Sequence, residues 1–305
     1  MNISLGIFAG IIAGAFWGLV FLAPELTRGF TPIQLSAGRY LAYGVFAAIL
    51  VSRSWRRLFD GLGWREWKAL AWLSFTGNIV YYFFLAQAVQ TGGIAMASIV
   101  IGLLPVVITL VGSRDAGAVP LHRLVPSIVL STAGLFCISW QHLQTGSLAG
   151  VLYASGALAS WTAYAVGNSR WLARLKSVTP HEWSMLTGLV TGAEALLLAV
   201  PALLTNSHGH SSADWAFFTA VVTSVAILCS IIGNGFWNYA SRALPLTLTG
   251  QMIVFETLFA ALYGFLWEAR WPTYIEAAAI GLLIAGVATC AIAHGPGNQK
   301  AAAPD

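Results

Sequence analysis

The sequence predicts an all-α integral membrane protein: ten transmembrane helices as two inverted five-helix repeats. Three observations carry that expectation. Of the 305 residues, 58% are hydrophobic and only 9% are charged, apolar runs of bilayer length recur along the chain, and Lys and Arg collect in alternate loops. Soluble chains carry about 25% charged residues. A protein of this size needs those charges on its water-facing surface, so the missing polar surface faces lipid.

A helix needs about 20 apolar residues to cross the hydrocarbon. Runs bounded by charges, Pro and Gly place spans near 3–23, 32–52, 67–88, 93–112, 123–141, 146–168, 181–203, 214–239, 246–267 and 273–293. The first run starts at Ile3 without a basic stretch ahead of it and continues past a leader's length, so it reads as a first span. The 88/93 and 141/146 junctions rest on short separators, Gln90-Thr91-Gly92-Gly93 and His142-Leu143-Gln144-Thr145-Gly146. Length divides them: one helix over 67–112 would be about twice the bilayer thickness at roughly 1.5 Å per residue.

Charge orients the spans. Loops on the N-terminal side hold Arg53, Arg56, Arg57, Arg65, Lys68, Arg114, Arg123, Arg170, Arg174, Lys176, Arg242 and Lys300, against Arg28 and Arg270 opposite. Under the positive-inside rule both termini are cytoplasmic and the chain is a multi-pass protein of the cell (inner) membrane. The net charge of +4 is accounted for by this bias, so no nucleic-acid partner is expected. Trp55, Trp64, Trp67, Trp140, Trp171, Trp215, Trp267 and Trp271 fall at span ends, where amphipathic rings favour the headgroup level. Cys137, Cys229 and Cys290 lie inside apolar runs without ligand-like neighbours, so neither a disulfide framework nor a metal site is expected.

The halves repeat. Span two begins Thr31-Pro32-Ile33-Gln34 and span seven Thr179-Pro180-His181-Glu182; spans one and six carry Trp17 and Trp161. Span four carries Ser98 and Pro105, and span nine Thr249 and Glu256, seven apart in each. The expected units are 1–141, then 146–293, then a flexible cytoplasmic tail over 294–305. Five spans per repeat is odd, so the second copy enters from the opposite side, the arrangement of secondary transporters with a midplane site between repeats.

Three segments carry a family likeness: Ala13-Gly14-Ala15-Phe16-Trp17-Gly18, Ala157-Leu158-Ala159-Ser160-Trp161-Thr162, and the run from Ala95-Met96-Ala97-Ser98 to Leu104-Pro105. With the five-plus-five plan, the chain over roughly 3–293 resembles the drug/metabolite transporter superfamily, specifically its EamA-type members. Through Phe255-Glu256-Thr257 it looks most like the YddG-type aromatic amino-acid exporters. That resemblance implies alternating-access export of aromatic or other amino acids and related metabolites, without a cofactor. EamA members often have Pro where this chain has Glu256, so a straighter backbone is expected there.

Polar side chains within hydrocarbon usually face the bundle interior or a watery cavity. Helical spacing gathers Gly10, Gly14, Trp17 and Phe21 on one stripe, and Ala157, Trp161, Tyr164 and Asn168 on another. Asn78 and Tyr82 in span three, Asn234, Trp237 and Asn238 in span eight, Ser98, Gly102, Pro105 and Thr109 in span four, and Thr249, Met252 and Glu256 in span nine complete the set. The expected cavity residues are Trp17, Asn78, Tyr82, Ser98, Trp161, Tyr164, Asn234, Trp237, Met252 and Glu256, with Pro105 a hinge. Rings stack on a flat apolar side chain while amides take its polar head, which suits an amino acid-like substrate. The bland alternatives are packing for Trp17 and Trp161, and interhelical glue worth about 0.6 kcal/mol each for Asn78 and Asn234. Gly6, Gly10, Gly14 and Gly18 read as a packing ladder.

Charges deep within spans, away from their ends, are Arg39, Glu194 and Glu256. Similar depth suggests a structural Arg39–Glu194 ion pair. Glu256 reads as a contact for the substrate ammonium, a proton-coupling carboxyl or a neutral packing residue. No HExxH, GxSxG or phosphate-cradling Gly loop occurs, so neither an enzyme nor an ATP-driven pump is expected. His208-Gly209-His210 reads as solvated outer loop. A channel would want rings of like charge or a filter-like run, and a lipophilic-cation exporter would use Glu256 as its membrane carboxylate. Short loops and no docking domain leave the bilayer and a small molecule as partners, with a monomer sufficient.

Overall fold

The computed structural model describes residues 3–27, 29–115, 117–139, 148–175, 177–204, 209–267 and 269–294. Arg28, Trp140, Lys176, Lys300, His208, the 141/146 junction, the 295–305 part of the tail and the side chains of Phe21 and Ser98 lie outside them. The described residues are helical with connecting turns. Helix α1 (Ile3–Gly18) runs through a 3-10 turn at Leu19–Leu22 into α2 (Ala23–Leu26). There follow α3 (Pro32–Val51), α4 (Trp55–Gly61) and α5 (Trp64–Ser74), a π-helical segment at Phe75–Val80, then α6 (Tyr81–Ile101), α7 (Leu104–Gly112) and α8 (Leu121–Ser139). The second half holds α9 (Leu148–Arg174), α10 (Pro180–Leu204), α11 (Ser212–Val225), a π segment at Ala226–Gly233, α12 (Asn234–Ala243), α13 (Leu246–Met252), α14 (Val254–Trp267) and α15 (Tyr274–Ala293).

Six helical stretches among the described residues are long and apolar enough to cross a membrane: Ile33–Gly61, Trp64–Ala88, Pro180–Ala202, Ser212–Ala243, Leu246–Trp267 and Tyr274–Ala293. Ile3–Gly18 and Leu121–Cys137 are shorter apolar helices. Trp55, Trp64, Trp215, Trp267 and Trp271 are exposed, as rings at a membrane surface would be.

The expected break at 88/93 is not where the backbone changes, because α6 stays helical through it. Ala88 and Ala97 share a small cluster with Ala154 of α9, and α7 packs on α9 as well.

Pairing crosses between the halves. Helix α3 lies along α10, α6 along α9, α8 along α15 and α7 along α13, while α1 packs on α12 and α14. Every one of these contacts joins an element before residue 140 to one after 147. Small residues make the approaches possible. A Cβ on Gly44 would stand 2.5 Å from Gly192 Cα, so the α3 and α10 backbones touch. The Gly6–Gly18 ladder packs as expected: Cβ atoms there would meet Leu244, Met252, Phe255 with Glu256, and Ala260 with Phe259 in turn.

The repeated Thr-Pro signatures are helix starts. Thr31 Oγ1 accepts from Gln34 N at 3.3 Å while Gln34 Oε1 accepts from Thr31 N at 2.9 Å. Thr179 and Glu182 make the same reciprocal pair at 3.2 and 2.9 Å. Each is a capping box that satisfies two donors a helix end would leave orphaned.

The two π segments also correspond in carrying a Gly-Asn pair: Gly77-Asn78 lies inside the first, and the second ends at Gly233 with Asn234 next. A π turn disturbs the regular i→i−4 ladder and is frequent at functional sites. Side chains from the other half supply partners: Ser160 Oγ donates to Thr76 O at 2.8 Å, and Trp17 Nε1 to Cys229 O at 3.2 Å. Gly77 leaves room for Tyr164, and Gly233 for Trp17.

Candidate functional site

Three indoles meet where α1, α9 and α12 converge. Ring centroids are 5.1 Å apart for Trp17–Trp237, 5.8 Å for Trp161–Trp237 and 6.2 Å for Trp17–Trp161, the last edge-to-face at 84°. These are favourable separations for aromatic quadrupoles. Tyr164, one turn from Trp161, is 5.6 Å from it, and Tyr81 lies 6.5 Å from the same ring. Trp17 and Trp161 are 8% and 9% exposed and Trp237 only 1%. Trp17 Nε1 is shared between Cys229 O and Asn234 Oδ1, the latter at 3.0 Å. The buried Trp237 Nε1 makes no hydrogen bond among the described residues, and an unmet buried donor costs about 1–3 kcal/mol.

Five of the expected residues therefore gather: Trp17, Trp161, Tyr164, Asn234 and Trp237. Asn78 acts across helices, donating to Thr191 Oγ1 at 3.0 Å. Tyr82 is half-buried. Met252 stands apart, 1% exposed in the α1–α13 seam against Gly10. Pro105 is buried in the first turn of α7, directly after the helix break at Gly102 and Leu103.

Two expectations are corrected. The backbone before Glu256 is not straight: α13 ends at Met252, α14 starts at Val254, and the turn tightens through Ile253 N→Gly250 O and Glu256 N→Ile253 O. Proline is not needed for this break, since Gly250 packs directly against Ile108 and Pro105 O. Nor do Arg39 and Glu194 pair among the described residues. Arg39 Nε donates to Ser230 Oγ at 3.1 Å and its guanidinium carbon lies 5.3 Å from the Tyr40 ring centroid; Glu194 Oε2 is buried without a hydrogen-bond partner. Depth is one coordinate and azimuth another. At about 100° per residue, Arg39 is turned about 140° from Gly44 and Glu194 about 200° from Gly192, so both leave the seam those glycines share.

The end of the bundle bearing the basic loops is closely packed. Arg57 pairs with Glu182, and Arg170 with Asp115 at 2.6 Å, each bond crossing between halves. Arg242 donates to the carbonyls of Leu172, Leu175 and Val178. Thr247 and His294 side chains meet at 2.6 Å, and Gln251 bridges Thr109 and Ser131. Every residue of α13 is buried, whereas Val254 is the only buried residue of α14, which continues the same span toward the opposite end.

The model of the EamA-like transporter family matches residues 4–140 and 148–291. The chain belongs to that family. Inner membrane protein YtfF of Escherichia coli (strain K12) is 33% identical over 300 residues, covering 92% of this chain and 93% of that protein. An uncharacterized transporter of Archaeoglobus fulgidus is 23% identical over 239 residues, covering 76% and 79%. A solved protein chain with 22% identity superimposes with a TM-score of 0.70, covering 94% of this chain and 98% of its own. That likeness is one of fold.

Sequence spacing passes over three residues of this EamA-like protein that stand at the cluster. Tyr81, three residues after Asn78, reaches Trp161, whereas i+4 spacing selects Tyr82. Ser230 holds Arg39, and Cys229 Sγ meets Phe16 O at 3.0 Å. No pattern in an apolar run distinguishes these two from packing residues. A buried network in which Trp183 Nε1 donates to Asn168 Oδ1 at 2.9 Å and Asn168 Nδ2 to Asn238 Oδ1 at 2.8 Å ties α9, α10 and α12 beneath the cluster.

Proposed function

We propose that the chain is a secondary transporter that exports aromatic or other amino acids and related small metabolites by alternating access. The carrying observation is the indole cluster drawn from both halves, with Asn234 beside it and the Trp237 N–H unmet. Stacked indole faces and edges favour a flat apolar side chain, and an unmet donor favours a ligand with acceptor atoms. The reading includes ten spans in two inverted repeats with both termini in the cytoplasm, as in YddG-type exporters. Supporting it are the two stretches matched by the family model, the paired capping boxes, the paired π segments and the breaks in spans four and nine. Close packing at the basic end and a more open α14 correspond to a carrier resting open away from the cytoplasm.

The test is movement of labelled Trp, Phe, Thr and a quaternary amine in proteoliposomes, with unlabelled substrate on the opposite side. Saturable flux of Trp and Phe, accelerated by counter-substrate, is the expected result. If none moves, or the amine alone moves, the amino-acid assignment is wrong. Glu256, an intramembrane carboxyl near the cluster, gives the second reading, export of lipophilic cations, and movement of the amine alone is its outcome.

A further inference from the structure

Two residues of opposite charge, Arg39 and Glu256, adjoin the indole cluster without closing on each other. Arg39 is held by Nε to Ser230 Oγ, and its Nη atoms make no hydrogen bond or ion pair among the described residues. Ser230 is adjacent to Cys229, whose carbonyl takes the Trp17 indole N–H and whose Sγ meets Phe16 O. The Arg39 anchor is thereby fused to the indole cluster. Glu256 comes from α14, whose backbone lies against α1 one turn before Trp17: a Cβ on Gly14 would stand 2.9 Å from Glu256 N, and Tyr263 OH donates to Ala15 O at 3.0 Å. Both side chains are half-buried. No ion pair within 4.0 Å joins them among the described residues.

Opposite charges inside a membrane protein ordinarily pair, because desolvation without a partner is costly. Here Arg39 is engaged by Ser230 Oγ, and no acid closes on it among the described residues. We infer that Arg39 and Glu256 are the two poles of a zwitterion site, Arg39 taking a carboxylate and Glu256 an ammonium, with the substrate's ring directed to the indoles. A guanidinium whose Nη pair is free suits a bidentate carboxylate. A cation substrate would use Glu256 but be repelled by Arg39, and a phosphate substrate would want a second cation that the cluster lacks. The inference rests on the amino-acid reading and narrows it to compounds carrying both head groups.

Competition against labelled Trp on the wild-type protein in proteoliposomes tests it first, using tryptamine (no carboxylate) and indole-3-propionate (no ammonium). Hydrogen bonds to charged groups are worth about 1.5–3 kcal/mol, so each analogue should inhibit at least about tenfold more weakly than unlabelled Trp. Equal inhibition by either analogue overturns the assignment of the pole it lacks. Arg39→Gln should then abolish the advantage of Trp over tryptamine, and Glu256→Gln its advantage over indole-3-propionate, while Arg39→Lys keeps part of the first. Variants that keep both advantages overturn the site while the amino-acid reading stands. Should wild-type protein move no amino acid, that reading fails and this site with it.

Discussion

The contact of Gly44 with Gly192 sets a measurable limit on how α3 and α10 are held together. A Cβ on Gly44 would lie 2.5 Å from Gly192 Cα, and one on Gly192 2.4 Å from Gly44 Cα. Carbon atoms rest about 3.5–4.0 Å apart, so either methyl requires the helices to part by about 1 Å, and the atom it strikes is backbone that cannot rotate aside. Overpacking of this kind costs about 1–3 kcal/mol, against which Ala in place of Gly returns about 1 kcal/mol of helix propensity. Because the obstacle is backbone, the cost falls at the upper end of that range, and Gly44→Ala and Gly192→Ala should each lose about 2 kcal/mol net. The double variant should lose clearly less than the sum, since the first methyl has already opened the seam for the second. Thermal unfolding of purified protein in detergent reads this directly, at about 2–4 °C per kcal/mol for chains approaching this size. Gly264→Ala is the control, because nothing lies within 4 Å of a Cβ there. Unchanged midpoints in both single variants, or a double loss equal to the full sum, would mean the two backbones do not meet at this crossing.

Three further outcomes are expected on the same geometry. Asn168→Ala removes the acceptor of Trp183 Nε1 and the donor to Asn238, leaving two buried groups unmet; a loss of about 2–4 kcal/mol in the same unfolding assay is expected, and a loss under 1 kcal/mol would contradict the network. Trp17→Phe keeps a ring in the cluster but strips the bond to Asn234, so proteoliposome flux should fall more than stability does; unaltered flux would make Trp17 a packing residue. Arg57→Ala breaks an ion pair whose arginine is 59% exposed, so the cost should stay under about 1 kcal/mol and vanish in high salt; a large, salt-insensitive loss would contradict it.

Much of this organisation could be read from residue order. The Thr-Pro starts proved to be capping boxes because Gln34 and Glu182 sit where a reciprocal bond can form, a purely local matter. Trp161 and Trp237 were legible because helical spacing sets them beside polar residues of their spans, Tyr164 with Asn168 and Asn234 with Asn238, and Trp17 because it matches Trp161 in the repeat. Long-range azimuth was not legible. Arg39 and Glu194 match in depth but point elsewhere, and Met252 is taken up by the α1 seam at Gly10, just before the break at Ile253 between α13 and α14. That break has no proline to announce it; it depends on how closely Gly250 approaches Ile108.

The π segments alter how these spans must be compared with relatives. Each residue added to a helix turns the rest of that helix by about 100°, so a wheel drawn at uniform pitch through Phe75–Val80 or Ala226–Gly233 falls out of phase on the far side. Asn78, inside the first segment, turns to Thr191, and Tyr81, just past it, to Trp161. In a relative whose span three or eight winds as plain α-helix, the side chain occupying the place of Tyr81 or Trp237 would come from the neighbouring position in sequence. Gap-free alignment would then pair residues that face different walls of the bundle.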